Sequence, residues 1–272
     1  MFLEDGRVDP TAYDNFAIQI SSEKGHTDVV QLLLDDARVD PTANNNWAIR
    51  ESSKNGHTDV VKLLLADGRV DPAAFSNYAI CMSSREGHSD VVCLLLADGR
   101  ADPTADHNFA IQISTENGYT GVVTLLLIDG RADPTADNNL AIKANSFFGR
   151  TDVVRLLLAD GRAEPAVHSS YAIQVSSVRG HTDVVKLLLE DGRADPRAAD
   201  SWGISNQAIR ESSENGHAAV VKLLLEDGRA DPVTDENYAI RCSSANGHTE
   251  VVKLLLEDGR ADPTAVTTTR LR

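Results

Sequence analysis

The chain has 272 residues, 42% apolar and 25% charged, the composition of a folded, water-soluble chain and not of a disordered one. Its formal net charge of -15 opposes contact with phosphate backbones, so no nucleic acid is expected as a partner, and it steers cationic protein surfaces toward the molecule. Cys81, Cys93 and Cys242 make an odd count with no C-x-x-C, which argues against a disulfide framework or a zinc knuckle and for a reducing, cytoplasmic setting. The opening Met1-Phe2-Leu3-Glu4-Asp5-Gly6 has neither the cationic nor the apolar part of a signal peptide. The longest apolar runs are far too short to span a membrane.

That opening matches the L-L-L-E-D-G with which later segments end, so residues 1–12 read as a leading half unit. The stretch Gly56-His57-Thr58-Asp59-Val60-Val61-Lys62-Leu63-Leu64-Leu65 then recurs at Gly25, Gly87, Gly118, Gly149, Gly180, Gly216 and Gly247. The spacing is 31 residues throughout, except for 36 between Gly180 and Gly216. A fixed period of this size marks stacked units that share one continuous core. Eight helix-pair repeats are expected over about 13–265, then a polar tail over 266–272, all in a single array over 1–272.

The second copy shows the parts of a unit in order. Asn44-Asn45-Asn46 reads as a loop ending in a helix N-cap. Trp47 to Asn55 is a short helix, and Gly56 supplies a left-handed turn. A longer helix runs from His57 to about Leu65, with Asp59 in its first turn, where the helix dipole favours an anion. Val60 and Leu64, and Val61 and Leu65, are i, i+4 pairs, so the helix is apolar around most of its circumference and needs covering on both sides. Asp67-Gly68 stops it, and Arg69-Val70-Asp71-Pro72 leads out extended. All nine prolines close a copy of D-G-R-x-D-P or a near variant, and none falls inside an expected helix.

On these residues the chain resembles the ankyrin repeat. Trp47-Ala48-Ile49-Arg50-Glu51-Ser52-Ser53 falls where T-P-L-H-L-A-A stands in that family, and Gly56-His57 and the Val60 to Leu65 run fall on the rest. The unit is shorter than the usual 33 residues, and an aromatic residue, Leu140 or Gln207 replaces the T-P opening. The short D-G-R-x-D-P-T-A variety resembles arrays of protists and of large DNA viruses that infect amoebae. The resemblance implies an all-α solenoid of helix-turn-helix repeats, with short hairpin-like loops whose strand character is open. It also implies a non-catalytic scaffold that binds a protein through a concave groove and projecting loops. The rival reading is a structural spacer within a longer repeat polypeptide.

No catalytic role or cofactor is expected, because no G-x-x-x-x-G-K-S/T, G-x-S-x-G or H-E-x-x-H occurs. His26, His57, His88, His181, His217 and His248 fall one per repeat, as helix-start residues bonding to backbone and not as metal ligands. The D-G-R arginines read as a self-paired, solvated edge. The informative residues are those that break the repeat. The fifth, second and first positions before the turn glycine share one face of the short helix, which in ankyrin-like stacks lines the groove. Met82, Ile113, Ala144, Phe147, Phe148, Val175 and Val178 form an apolar line there, bounded by Glu51 and Glu211. This is the anatomy of a binding hot spot, for a partner with a basic rim around an apolar anchor. The competing reading has Phe147 and Phe148 filling space between neighbouring helices. The insertion around Trp202 either projects as a binding loop or folds Trp202 back in place of the aromatic missing at Gln207. Uncovered terminal helices imply fraying or weak end-to-end self-association.

Overall fold

The computed structural model describes residues 9–261. The leading half unit up to residue 8 and the polar tail lie outside the described residues. Among those described there are sixteen helices and no strand, so the connecting loops are not β-hairpins. The chain divides into two compact units, with the division between Ala136 and Asp137. The first holds the pairs α1 (Ala12–Glu23) with α2 (Thr27–Leu34), α3 (Ala43–Lys54) with α4 (Thr58–Asp67), α5 (Ala74–Glu86) with α6 (Ser89–Asp98), and α7 (Ala105–Asn117) with α8 (Thr120–Asp129). The second holds α9 (Ala136–Phe148) with α10 (Thr151–Asp160), α11 (Val167–Val178) with α12 (Thr182–Asp191), α13 (Gln207–Glu214) with α14 (Ala218–Asp227), and α15 (Thr234–Ala245) with α16 (Thr249–Asp258).

Within the first unit the odd-numbered inner helices pack on one another in succession, and so do the even-numbered outer ones. In the second unit the same holds for α11, α13 and α15 and for α10, α12, α14 and α16. The apolar periodicity explains the packing: Ile49, Val60, Val61 and Leu64 have no exposed surface, and neither do Ile173, Val184, Val185 and Leu188. Gly56 has a φ of 75°, as a left-handed turn requires. Gly25 has a second reason to lack a side chain, since a Cβ there would stand 2.5 Å from the His57 ring.

Within each unit, three kinds of hydrogen bond recur between successive repeats. His57 Nε2 lies 2.9 Å from the Glu23 carbonyl oxygen, so the ring nitrogen donates; His217 does the same to Val178 at 3.0 Å. The D-G-R arginines are self-paired as expected: Arg69 donates to Asp67 at 2.7 and 2.8 Å, which holds that carboxyl below the usual carboxylate range. Their remaining nitrogen reaches back one repeat, from Arg69 to the Val39 carbonyl and from Arg193 to the Ala163 carbonyl. The third kind was not anticipated. Asn46 does not cap a helix. It closes a left-handed turn, Asn44-Asn45-Asn46, with φ of 54°, 55° and 59°, and its Oδ1 accepts the N–H of Asp71 at 2.7 Å. The same turn opens every inner helix except α13. Left-handed residues cost about 1–2 kcal/mol each. Local side-chain bonds within the same helix offset part of this: Arg50 donates to the turn's Asn45 carbonyl at 2.9 Å and Gln112 to the His107 carbonyl at 3.1 Å.

Candidate functional site: the cleft between α9 and α11

In the second unit, α9 departs from the other inner helices. The position that Arg50 and Gln112 use to bind the left-handed turn is Lys143 here, and Lys143 makes no hydrogen bond or ion pair among the described residues. At the helix end, Phe147 and Phe148 replace polar pairs such as Glu116-Asn117. Their rings meet edge to face, 5.0 Å between centroids. Phe147 is half-buried, with the Arg179 guanidinium 3.5 Å from its ring centre. Phe148 keeps 56% of its surface exposed. Leu140, Lys143, Ala144, Phe147 and Phe148, with His168 and Tyr171 opposite, line an open cleft of about 530 Å³. Space-filling between helices therefore does not account for Phe148.

A second cleft, of about 370 Å³, adjoins the first across His168 and Tyr171. Val175 and Val178 line it, half-buried, together with Gln174, Ala199, Asp200 and Glu211. Its far wall is the insertion, and one carboxylate holds that loop. Asp200 Oδ1 accepts the N–H groups of Trp202 and Ile204 at 2.9 Å, while Oδ2 takes the Arg210 guanidinium at 3.1 Å in a buried pair. Trp202 is 87% exposed, so it does not fold back; the slot near Gln207 is served by a bond from its own side chain to Glu211 at 2.8 Å. The loop also keeps the third kind of inter-repeat bond, because Asn206 Oδ1 accepts the Asp231 N–H.

A family model described as ankyrin repeats (3 copies) matches residues 49–138 and 170–267. The chain belongs to the ankyrin repeat family. Solved structures agree on the fold. The ankyrin repeat domain of Bcl-3, a member of the IkappaB family, is 20% identical with a TM-score of 0.57, covering 88% of this chain and 97% of that one. The ankyrin repeat protein EF0377 is 24% identical with a TM-score of 0.55, covering 65% and 96%. An ankyrin repeat domain from Acinetobacter baumannii AYE is 21% identical with a TM-score of 0.54, covering 67% and 98%. No curated protein matches the chain. Ankyrin arrays are in general non-enzymatic protein-interaction modules.

Set on the ankyrin frame, the apolar line expected along the groove face divides between the two units. Met82 on α5 and Ile113 on α7 are half-buried in the first. Ala144, Phe147 and Phe148 gather at one cleft of the second, and Val175 and Val178 at the next. Glu51 is buried and paired with Lys54 at 3.4 Å, so it offers the groove little charge. Sequence reasoning missed Lys143, His168, Tyr171 and Arg179. Lys143 carried a readable signal, as the one lysine in a column otherwise made of Gln, Arg and Cys81. No helix among the described residues is long and apolar enough to cross a membrane.

Proposed function

We propose that this ankyrin array is a non-catalytic scaffold that seats an apolar anchor of a partner protein in the cleft between α9 and α11. The observation that supports this most directly is the Phe148 ring, more than half exposed on a rigid helix and flanked by Leu140, Ala144, Phe147 and Tyr171. A pre-ordered apolar recess lowers the ordering cost of binding. Val175, Val178 and the projecting Trp202 extend the contact surface within the second unit. Met82 and Ile113 are proposed as contacts on the groove face of the first. The -15 net charge supplies long-range attraction for a partner with a basic rim, and the free cysteines suit a reducing, cytoplasmic setting. Weak end-to-end self-association is proposed as well, and concentration-dependent sedimentation tests it.

The decisive experiment is selection from a displayed peptide library on the wild-type chain, followed by rebinding to Phe148→Ala. The substitution is expected to weaken the selected binders by about 2 kcal/mol, roughly 30-fold. Binders insensitive to Phe148→Ala would overturn the assignment of the cleft.

A further inference from the structure

The cleft is apolar at its centre, and the charges nearest that centre have the opposite sign to the molecule as a whole. Of its lining residues, Lys143 and His168 are basic and none is acidic. Arg179 is not itself a lining residue, but its guanidinium stacks on the ring of Phe147, which is. In most of the second unit, basic side chains are already matched to carboxylates. Arg193 binds Asp191, Arg229 binds Asp227 and Arg260 binds Asp258, each within 2.8 Å. Lys186 and Lys222 stand within 4 Å of Glu190 and Glu226, at 3.9 and 3.8 Å. Lys143 and Arg179 have no such carboxylate among the described residues.

The geometry of Arg179 bears on what it can hold. A guanidinium stacked on an aromatic ring has one face occupied, while its five N–H donors lie in its plane and stay free for a planar acceptor. Stacking also limits the rotamers that would be lost on binding. The group is therefore a prepared fork for a carboxylate, beside an apolar recess, with a second cation at Lys143. A basic segment would meet both cations at close range. Field strength falls with distance and is screened over about 8–10 Å in salt, so near charges outweigh the net charge in choosing the occupant.

We infer that the occupant of this cleft is an acidic peptide segment with an aromatic or large aliphatic anchor, whose carboxylates flank the anchor and meet Arg179 and Lys143. This rests on the reading of the cleft as a protein-docking site, and at the cleft itself it replaces the basic rim expected from net charge.

The test uses the full chain and two synthetic, fluorescently labelled peptide pools with a central Phe, Trp or Leu. One pool flanks the anchor with Asp and Glu, the other with Lys and Arg. Binding is read by fluorescence anisotropy at low and high salt. The acidic pool is expected to bind more tightly and to lose affinity as salt rises. Arg179→Ala is expected to weaken it roughly tenfold, the size of a charged hydrogen-bonded contact. Lys143→Glu, at a side chain with no bonds to lose, is expected to shift preference toward the basic pool, with melting temperature confirming the fold. Tighter, Phe148-dependent binding of the basic pool would overturn this inference and leave the docking site standing. Binding of neither pool in a Phe148-dependent way would remove the docking site, and this inference with it.

Discussion

Helices α3 and α9 fill the same slot of the repeat, yet they use it differently. In α3 the outward-reaching polar groups are consumed internally. Arg50 is buried, donates to the Asn45 and Asn44 carbonyls, and stacks within 5.6 Å of Trp47, Phe75 and Tyr78. Glu51 is buried beside Lys54. In α9 the equivalent Lys143 makes no hydrogen bond or ion pair among the described residues, the smaller Ala144 lines the cleft, and Phe148 carries apolar surface into the open beside Phe147. One scaffold thus supports a helix whose chemistry is closed and another whose chemistry is left open. The difference lies in residues that the packing does not dictate.

The comparison requires a common core beneath both helices. Ile49 and Ile142 have no exposed surface. Ile49→Ala and Ile142→Ala should each cost about 2–5 kcal/mol in denaturant unfolding, as large-to-small changes in a packed core. A loss below about 0.5 kcal/mol for Ile142→Ala would mean that α9 is not seated as α3 is. The next contrast lies in the polar column. Arg50→Ala should cost about 1–3 kcal/mol, because it leaves the turn carbonyls without donors and removes a stacked cation. Lys143→Ala should fall within about 0.5 kcal/mol of wild type. Equal costs at the two positions would erase the distinction between a closed helix and an open one.

The fold was legible because its signals are local and repeat eight times. The turn glycines, the D-G-R pairing and the helix-start histidines each behave as their spacing implies. The left-handed turn was not legible. Asn44-Asn45-Asn46 looks like a loop with a cap, since three successive residues other than glycine at positive φ run against local preference. What selects that conformation is a bond from Asp71, 25 residues away, which no window of sequence displays. Phe147 and Phe148 could be singled out from sequence because they break a column, but their exposure could not. A sum of -15 likewise does not display which basic residues line this cleft, such as Lys143 and His168. Trp202 turned outward because Asp200 gathers the insertion's own N–H groups, a pattern set by loop geometry and not by composition.

Phe148 itself gives the third prediction. With 56% of its surface already exposed, Phe148→Ala should cost at most about 1 kcal/mol of stability, well below the range for a buried phenylalanine. A loss of about 3 kcal/mol or more would show that the ring supports the stack, and α9 would then resemble α3 after all.

The smallest expected effect has the opposite sign and should be the same in both helices. Ser53 in α3 and Ser146 in α9 are fully buried, and neither hydroxyl has a hydrogen-bond partner. The residue before each differs. Ser52 bonds to the Ile49 carbonyl at 3.3 Å, and Asn145 to the Ala141 carbonyl at 2.7 Å. A buried hydroxyl without a partner carries its full desolvation cost, while alanine keeps the Cβ and nearly the same shape. Ser53→Ala and Ser146→Ala should therefore each stabilise the array, by about 0.5–1 kcal/mol, seen as a rise in melting temperature. Ser52→Ala, which gives up a long bond, should be close to neutral. Both positions are fully buried, so the gain should disappear on going to valine, where overpacking costs about 1–3 kcal/mol. If Ser53→Ala were stabilising and Ser146→Ala destabilising, the cores under α3 and α9 would differ, and the contrast between the two helices could no longer be assigned to their exposed residues alone.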